Sequence, residues 1–189
     1  MIGKKNVVFG FLYLVLTAAL GPYMVLHMGP LEQARAEKQK ALGALQLMAS
    51  SGYQNDQTLA PMTAEEIAKA NTTALLAINK QLNAQAVIDA IKSGPHTHGN
   101  LESLLNIAVG LVLGFLAAAP FFKQLVSWLF ILGALLHSGM LYLTTFGVGW
   151  AGVVLGTGVG PVMILVGLLL AGVIAAFGFR GELVRDRSI

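Results

Sequence analysis

Residues 95–115 read PHTHGNLESLLNIAVGLVLGF, so two histidines and a glutamate stand immediately before a long apolar run. What that run is decides the fold, and the composition around it answers. Of 189 residues 56% are hydrophobic, against 12 basic and 9 acidic side chains, which is a membrane composition. Uncharged stretches cover residues 6–31, 103–122 and 124–179. A helix needs roughly 20 residues to cross about 30 Å of hydrocarbon, so the last stretch is long enough for two crossings. Its break is placed at Phe146-Gly147-Val148-Gly149-Trp150, where glycines permit a tight turn and tryptophan suits the headgroup level. The expectation is an all-α, integral membrane four-helix bundle with spans near 6–28, 103–122, 124–146 and 151–178.

Charge sets the expected orientation, because lysine and arginine near span ends stay on the cytoplasmic side. Lys4, Lys5, Lys123, Arg180, Arg185 and Arg187 fall on one side of a four-span chain, opposed there by Glu182 and Asp186. The other side holds one long segment, about 29–102, with six basic and seven acidic residues and no positive bias. Residues 1–28 are thus read as a cytoplasmic tip and first span, 29–100 as an extracytoplasmic helical hairpin, 101–179 as three spans and 180–189 as a cytoplasmic tail. The first span is read as an uncleaved anchor, since its apolar run exceeds a signal core and it lacks a clear small-x-small cleavage site, "TAA" at 17–19 being the one stretch that argues for a signal. The expected location is a bacterial or archaeal plasma membrane.

The hairpin reads as two helices. Residues 31–48 are rich in good helix formers, and SSGYQNDQTLAP at 50–61 interrupts them with turn residues. Thr63-Ala-Glu-Glu66 then matches a capping box opening a helix to about Lys92. Ile67, Leu75, Ile78, Leu82, Val87 and Ile91 form a thin stripe interrupted by Asn71, Asn79 and Asn83. It either packs the two helices together or docks a partner. Within the membrane, Gly110-x-x-x-Gly114 and Gly152, Gly156 and Gly160 follow the small-xxx-small pattern of close helix contacts, and Pro161 is expected to kink the fourth span.

The chain has four histidines and no cysteine, which excludes disulfides, thiolate-held clusters and thiol catalysis. His27, His96 and His98 sit at the outer rim of the four-span arrangement. His137 lies 14 residues beyond Lys123, about 21 Å up a helix, while His98 lies 25 residues before it from the other side, about 37 Å. The two are therefore expected about 16 Å apart in depth, with His137 well inside the hydrocarbon, where an ionisable side chain is a functional candidate. Glu102 follows His98 by four residues. Imidazole and carboxylate at that spacing share a metal ion if the helix already includes His98, with His27 or His96 nearby. If Asn100 caps the helix instead, both histidines lie in a loop and Glu102 answers the helix dipole.

The segments FGFLYLVLTAALG and HTHGNLESLLNIAVGLVLGF, followed by two glycine-rich spans, resemble the small four-helix membrane proteins related to subunit I of haem–copper oxidases, a group that includes nitric-oxide-response haem proteins. The resemblance implies haem b held by His96 or His98. The fourth span lacks the histidine that such relatives tend to place there, and Gly160, Pro161 and Met163 occupy its middle. A His137/Met163 pair is chemically reasonable for haem. No nucleotide loop, zinc-protease motif or serine triad appears, and a net charge of +3 argues against nucleic acid. Two functions are expected from this: a small haem- or metal-binding protein of a respiratory or redox system, passing electrons or sensing a small gas and not catalytic alone, or a non-catalytic structural accessory subunit of a larger membrane oxidase or respiratory complex. The expected partners are the lipid bilayer and either that complex or further copies of the chain.

Overall fold

The computed structural model describes residues 1–55 and 58–184; Asp56, Arg185, Asp186 and Arg187, used in the charge reading, lie outside them. The described chain is helical without strands. It forms two compact units, one of Met1–Pro22 with the chain from Ala90, the other Tyr23–Asp89. The second unit begins before, and ends before, the expected hairpin boundaries of 29 and 100.

Helices α1 (Lys4–Ala18) and α2 (Leu20–Leu26) lead into α3 (Met28–Ser50), and α4 (Ala64–Ile91) follows. A kinked turn at Lys92–His96 precedes α5 (Thr97–Val112) and α6 (Pro120–Ala134). A π-helical turn at Leu135–Gly139 joins α6 to α7 (Met140–Thr145), and α8 (Gly149–Gly156) and α9 (Val159–Gly178) complete the chain. Among the described residues, three runs are long and apolar enough to cross a membrane: Lys4–Ser50, Pro120–Thr145 and Val159–Gly178.

The first unit is turned inside out relative to a soluble protein. On α1 the buried stripe is Asn6, Gly10, Tyr13 and Thr17, spaced three and four apart, while Phe11, Leu12 and Val15 are 57%, 68% and 72% exposed. Small residues let α1 run antiparallel against α5 at close range. A Cβ on Gly10 would lie 2.7 Å from the Ser103 carbonyl oxygen, and one on Gly110 would lie 2.7 Å from that of Gly3. Backbone contact of this kind is how helices associate where lipid removes the hydrophobic drive. Asn6 Nδ2 donates to Asn106 Oδ1 and to the Ser127 carbonyl, both at 3.0 Å, and the Ser127 hydroxyl donates to Asn6 Oδ1, so one polar cluster ties α1, α5 and α6 together. Val109, Leu113, Leu116, Val126 and Phe130 form the apolar core below it.

Three sequence expectations are corrected here. The helix expected as the second span ends at Val112 and the one expected as the third begins at Pro120, because residues 113–119 are a turn rather than helix. That turn pairs with the segment after α9: Ala117 N donates to Gly178 O at 2.7 Å and Arg180 N to Phe115 O at 2.9 Å. The fourth stretch is parted at Gly158, whose φ of 69° leaves the helical region, whereas Pro161 falls in the first turn of α9 and disturbs nothing, since amides there lack intrahelical partners. Of the glycine stripe, only Gly160 meets backbone: its Cβ would lie 2.6 Å from His137 N, while Gly156 faces open space. The break before α8 falls where glycines permit it, with Gly147 at φ 82°.

In the second unit, Lys80 pairs with Glu37 at 2.7 Å, Lys38 donates to Gln81 at 3.0 Å and Arg35 to Gln85 at 3.3 Å, linking α3 to α4. Thr63 and Glu66 form the reciprocal cap, with Thr63 N donating to Glu66 Oε2 at 2.8 Å and Glu66 N to Thr63 Oγ1 at 3.2 Å. Leu75, Leu82 and Val87 are exposed, so half of the thin apolar stripe does not pack the hairpin; Ala74, Ala77 and, at its end, Ile91 are the buried residues of α4.

Candidate metal centre

The site starts at the kink. Gly94 leaves helical geometry at ψ −110° and Pro95 supplies no amide hydrogen, so a new helix starts at Thr97. His98 is inside that helix. His98 and Glu102 therefore share a face, and Asn100 is not the cap: it accepts the Thr17 hydroxyl at 2.8 Å instead.

The opposite wall comes from the π-helical turn. Widening a turn from i+4 to i+5 reduces the rotation between neighbours from about 100° to about 80°, which brings adjacent side chains closer to one face. His137 and Ser138 both reach Glu102. His137 Nδ1 lies 2.5 Å from Glu102 Oε1, and the Ser138 hydroxyl donates to Glu102 Oε2 at 2.5 Å. Tyr13 of α1, 2.8 Å from Ser138 Oγ, donates to it once the serine proton is committed to the carboxylate. Behind the turn, Gly160 brings the α9 backbone against Leu136 and His137.

Among the described residues, His98, Glu102 and His137 form one group whose ligand atoms lie within 4.8 Å of one another. The His98 and His137 rings meet edge to face with centroids 4.7 Å apart. This overturns the 16 Å depth separation expected between them. Residues 113–119 were counted as helical rise, but they are a turn, and the two histidines stand at similar distances along antiparallel helices. A metal ion shared by His137 and Glu102 would replace the hydrogen bond between them, with the neutral imidazole Nδ1 and the ionised carboxylate turned to the ion.

The remaining candidates fall elsewhere. His96 is outside the group: its Nδ1 lies 3.1 Å from the Thr17 carbonyl oxygen. His27 belongs to the other unit, edge-on to Tyr23 at 4.9 Å. Met163 is half-buried on α9, one turn beyond Gly160. A haem between His98 and His137 does not fit this arrangement. Bonds of about 2 Å and a ring radius of about 1 Å put two axial imidazole centres about 6 Å apart, with a macrocycle between them, and here the rings touch at 4.7 Å. A bare ion does fit. Ligand atoms on bonds of about 2.1 Å at a tetrahedral angle are about 3.4 Å apart, a modest closure from the spacing present.

Sequence reading missed Tyr13 and Ser138. Tyr13 was legible only as a member of the Asn6, Gly10, Tyr13, Thr17 stripe, and Ser138 only as a neighbour of His137. Known protein families, characterised proteins and solved structures were compared with the chain, and none matches.

Proposed function

We propose that the chain is a small integral-membrane protein that binds one divalent transition-metal ion through His98, Glu102 and His137, serving a respiratory or redox system without catalysing a reaction alone. The observation that carries this reading is the convergence of two imidazoles and a buried carboxylate, 4% exposed, within 4.8 Å of one another inside an apolar bundle. Ionisable groups at such depth are costly and are retained where they bind or transfer something. The Ser138 and Tyr13 hydroxyls behind Glu102 have the character of the outer hydrogen bonds that orient metal ligands. Imidazole and carboxylate donors without thiolate favour zinc, iron or a similar divalent ion over copper(I). A haem role, implied by the likeness to haem–copper oxidase relatives, is the weaker form of the proposal because the His98 and His137 rings leave no room for a macrocycle between them.

The proposed membrane arrangement has four crossings, α1, α5, α6 with α7, and α9. The second of these, α5, is short, about 24 Å for 16 residues. Its polar residues Glu102, Ser103 and Asn106 are all buried, which is how a span of low hydropathy is tolerated in lipid. The basic residues Lys4, Lys5 and Arg180 flank the cytoplasmic side of a plasma membrane in this arrangement.

Metal analysis of the gently purified protein tests the function. One equivalent of metal is expected in the wild type or after titration with Zn²⁺ or Co²⁺, and its loss in His98→Ala, Glu102→Gln and His137→Ala. A wild type that neither carries nor takes up metal overturns the reading. The second reading, an accessory subunit, is favoured by the exposed Leu75, Leu76 and Leu82 of α4. A stoichiometric partner retained through purification and lost in Leu75→Glu would support it.

A further inference from the structure

We infer that the His98–Glu102–His137 centre keeps one coordination position open for a small exogenous anion. This rests on the metal-binding reading above. Structural zinc-type sites are closed by four protein ligands, whereas sites that bind or activate a further molecule use three. Three is the number available here among the described residues.

No fourth histidine or carboxylate joins the group among the described residues. His96, two residues before His98, stands outside it with its Nδ1 turned to the Thr17 carbonyl at 3.1 Å. The Ser138 hydroxyl serves Glu102, and Tyr13 serves Ser138. Access is also one-sided. Glu102 is backed by those two hydroxyls and is 5% exposed at its side chain, and α9 seals the backbone of His137 through Gly160. The His137 side chain is 17% exposed, and His98 is likewise half-buried, so the open edge lies on the imidazole side.

Charge selects the class. A divalent ion with one carboxylate and two neutral imidazoles carries a net single positive charge. In surroundings of low dielectric that charge is compensated best by a monoanion bound directly to the metal.

The test uses the full-length protein in detergent, loaded with Co²⁺ and titrated with sodium azide, following the cobalt d–d absorption bands. A saturable band shift with one azide per cobalt is expected. Cobalt bands that azide leaves unchanged overturn the open position while leaving the metal reading intact, and absence of cobalt bands overturns both. His96→Ala supplies the second arm. Unchanged bands and an unchanged azide response are expected; a cobalt spectrum altered by this substitution identifies His96 as a fourth ligand and overturns the inference.

Discussion

At the scale of single residues, the site depends on hydroxyl groups as much as on its ligands. Ser138 holds one oxygen of Glu102 while His137 holds the other, so the carboxylate has a single orientation. Removing an outer hydrogen bond of this kind typically weakens metal binding about 10–100-fold. Ser138→Ala is therefore expected to weaken Co²⁺ binding within that range, and Tyr13→Phe by less, since it acts through Ser138. Competition titration against a chelator measures both, and unchanged affinity in Ser138→Ala means the hydroxyl serves packing alone. The Asn6, Asn106 and Ser127 cluster obeys the same rule in a purely structural setting. Asn106→Leu strips Asn6 Nδ2 of an acceptor and leaves the Glu102 and Phe130 carbonyls without their Asn106 donor. Buried groups left without partners cost about 1–3 kcal/mol, to be read as a lowered unfolding midpoint in detergent.

At the scale of elements, close helix contact is concentrated at particular glycines. Gly160→Leu drives a side chain into the backbone of the π-helical turn and is expected to cost at least the 1–3 kcal/mol or so of ordinary overpacking, together with metal affinity, because His137 moves. Gly156→Leu, which enters open space, is expected to leave stability and metal affinity unchanged; equal effects from the two would contradict the packing described. In the hairpin, Lys80 beside Glu37 holds that carboxyl below its ordinary value, and the bonds from Thr63 do the same for Glu66. A carboxylate lowered on folding stabilises the fold above its unfolded value, near 4.5, and loses that contribution as pH falls through the folded value. Helicity by circular dichroism is expected to decline as pH drops below that point, by less in Lys80→Met. An identical acid response in the variant removes the ion pair from the explanation. Both groups are exposed, so the effect is small and salt-sensitive.

For the whole molecule, the even number of proposed crossings places the two ends of the first unit on one side. A reporter active only outside the cytoplasm is expected to be active when inserted after Asn55 and silent at the C-terminus. Activity at both points, or at neither, rejects four crossings, and the reverse pattern rejects the orientation. Three runs satisfy length and hydropathy on their own terms, but α5 does not, because it carries the polar residues of the site. Its proposed place in the membrane rests on its packing beside α1.

What the sequence determined by itself was everything that local pattern dictates. The apolar runs imply membrane helices, Thr63 and Glu66 open α4, Gly147 lies in the break before α8, and the His98 to Glu102 spacing promises a shared face. These depend on neighbours within a few residues, so they are legible in one dimension. The meeting of His98 with His137 was not legible, since it depends on how many residues the turn at 113–119 withdraws from helical rise. Nor were the π-helical turn that brings Ser138 beside His137, or the contact that sets Tyr13 behind both. A single residue of register rotates a helix face by about 100°, and register is chosen by the packing of α1, α5, α6 and α9 together. The tertiary structure alone therefore decided that His98 and His137, expected at different depths, share one site.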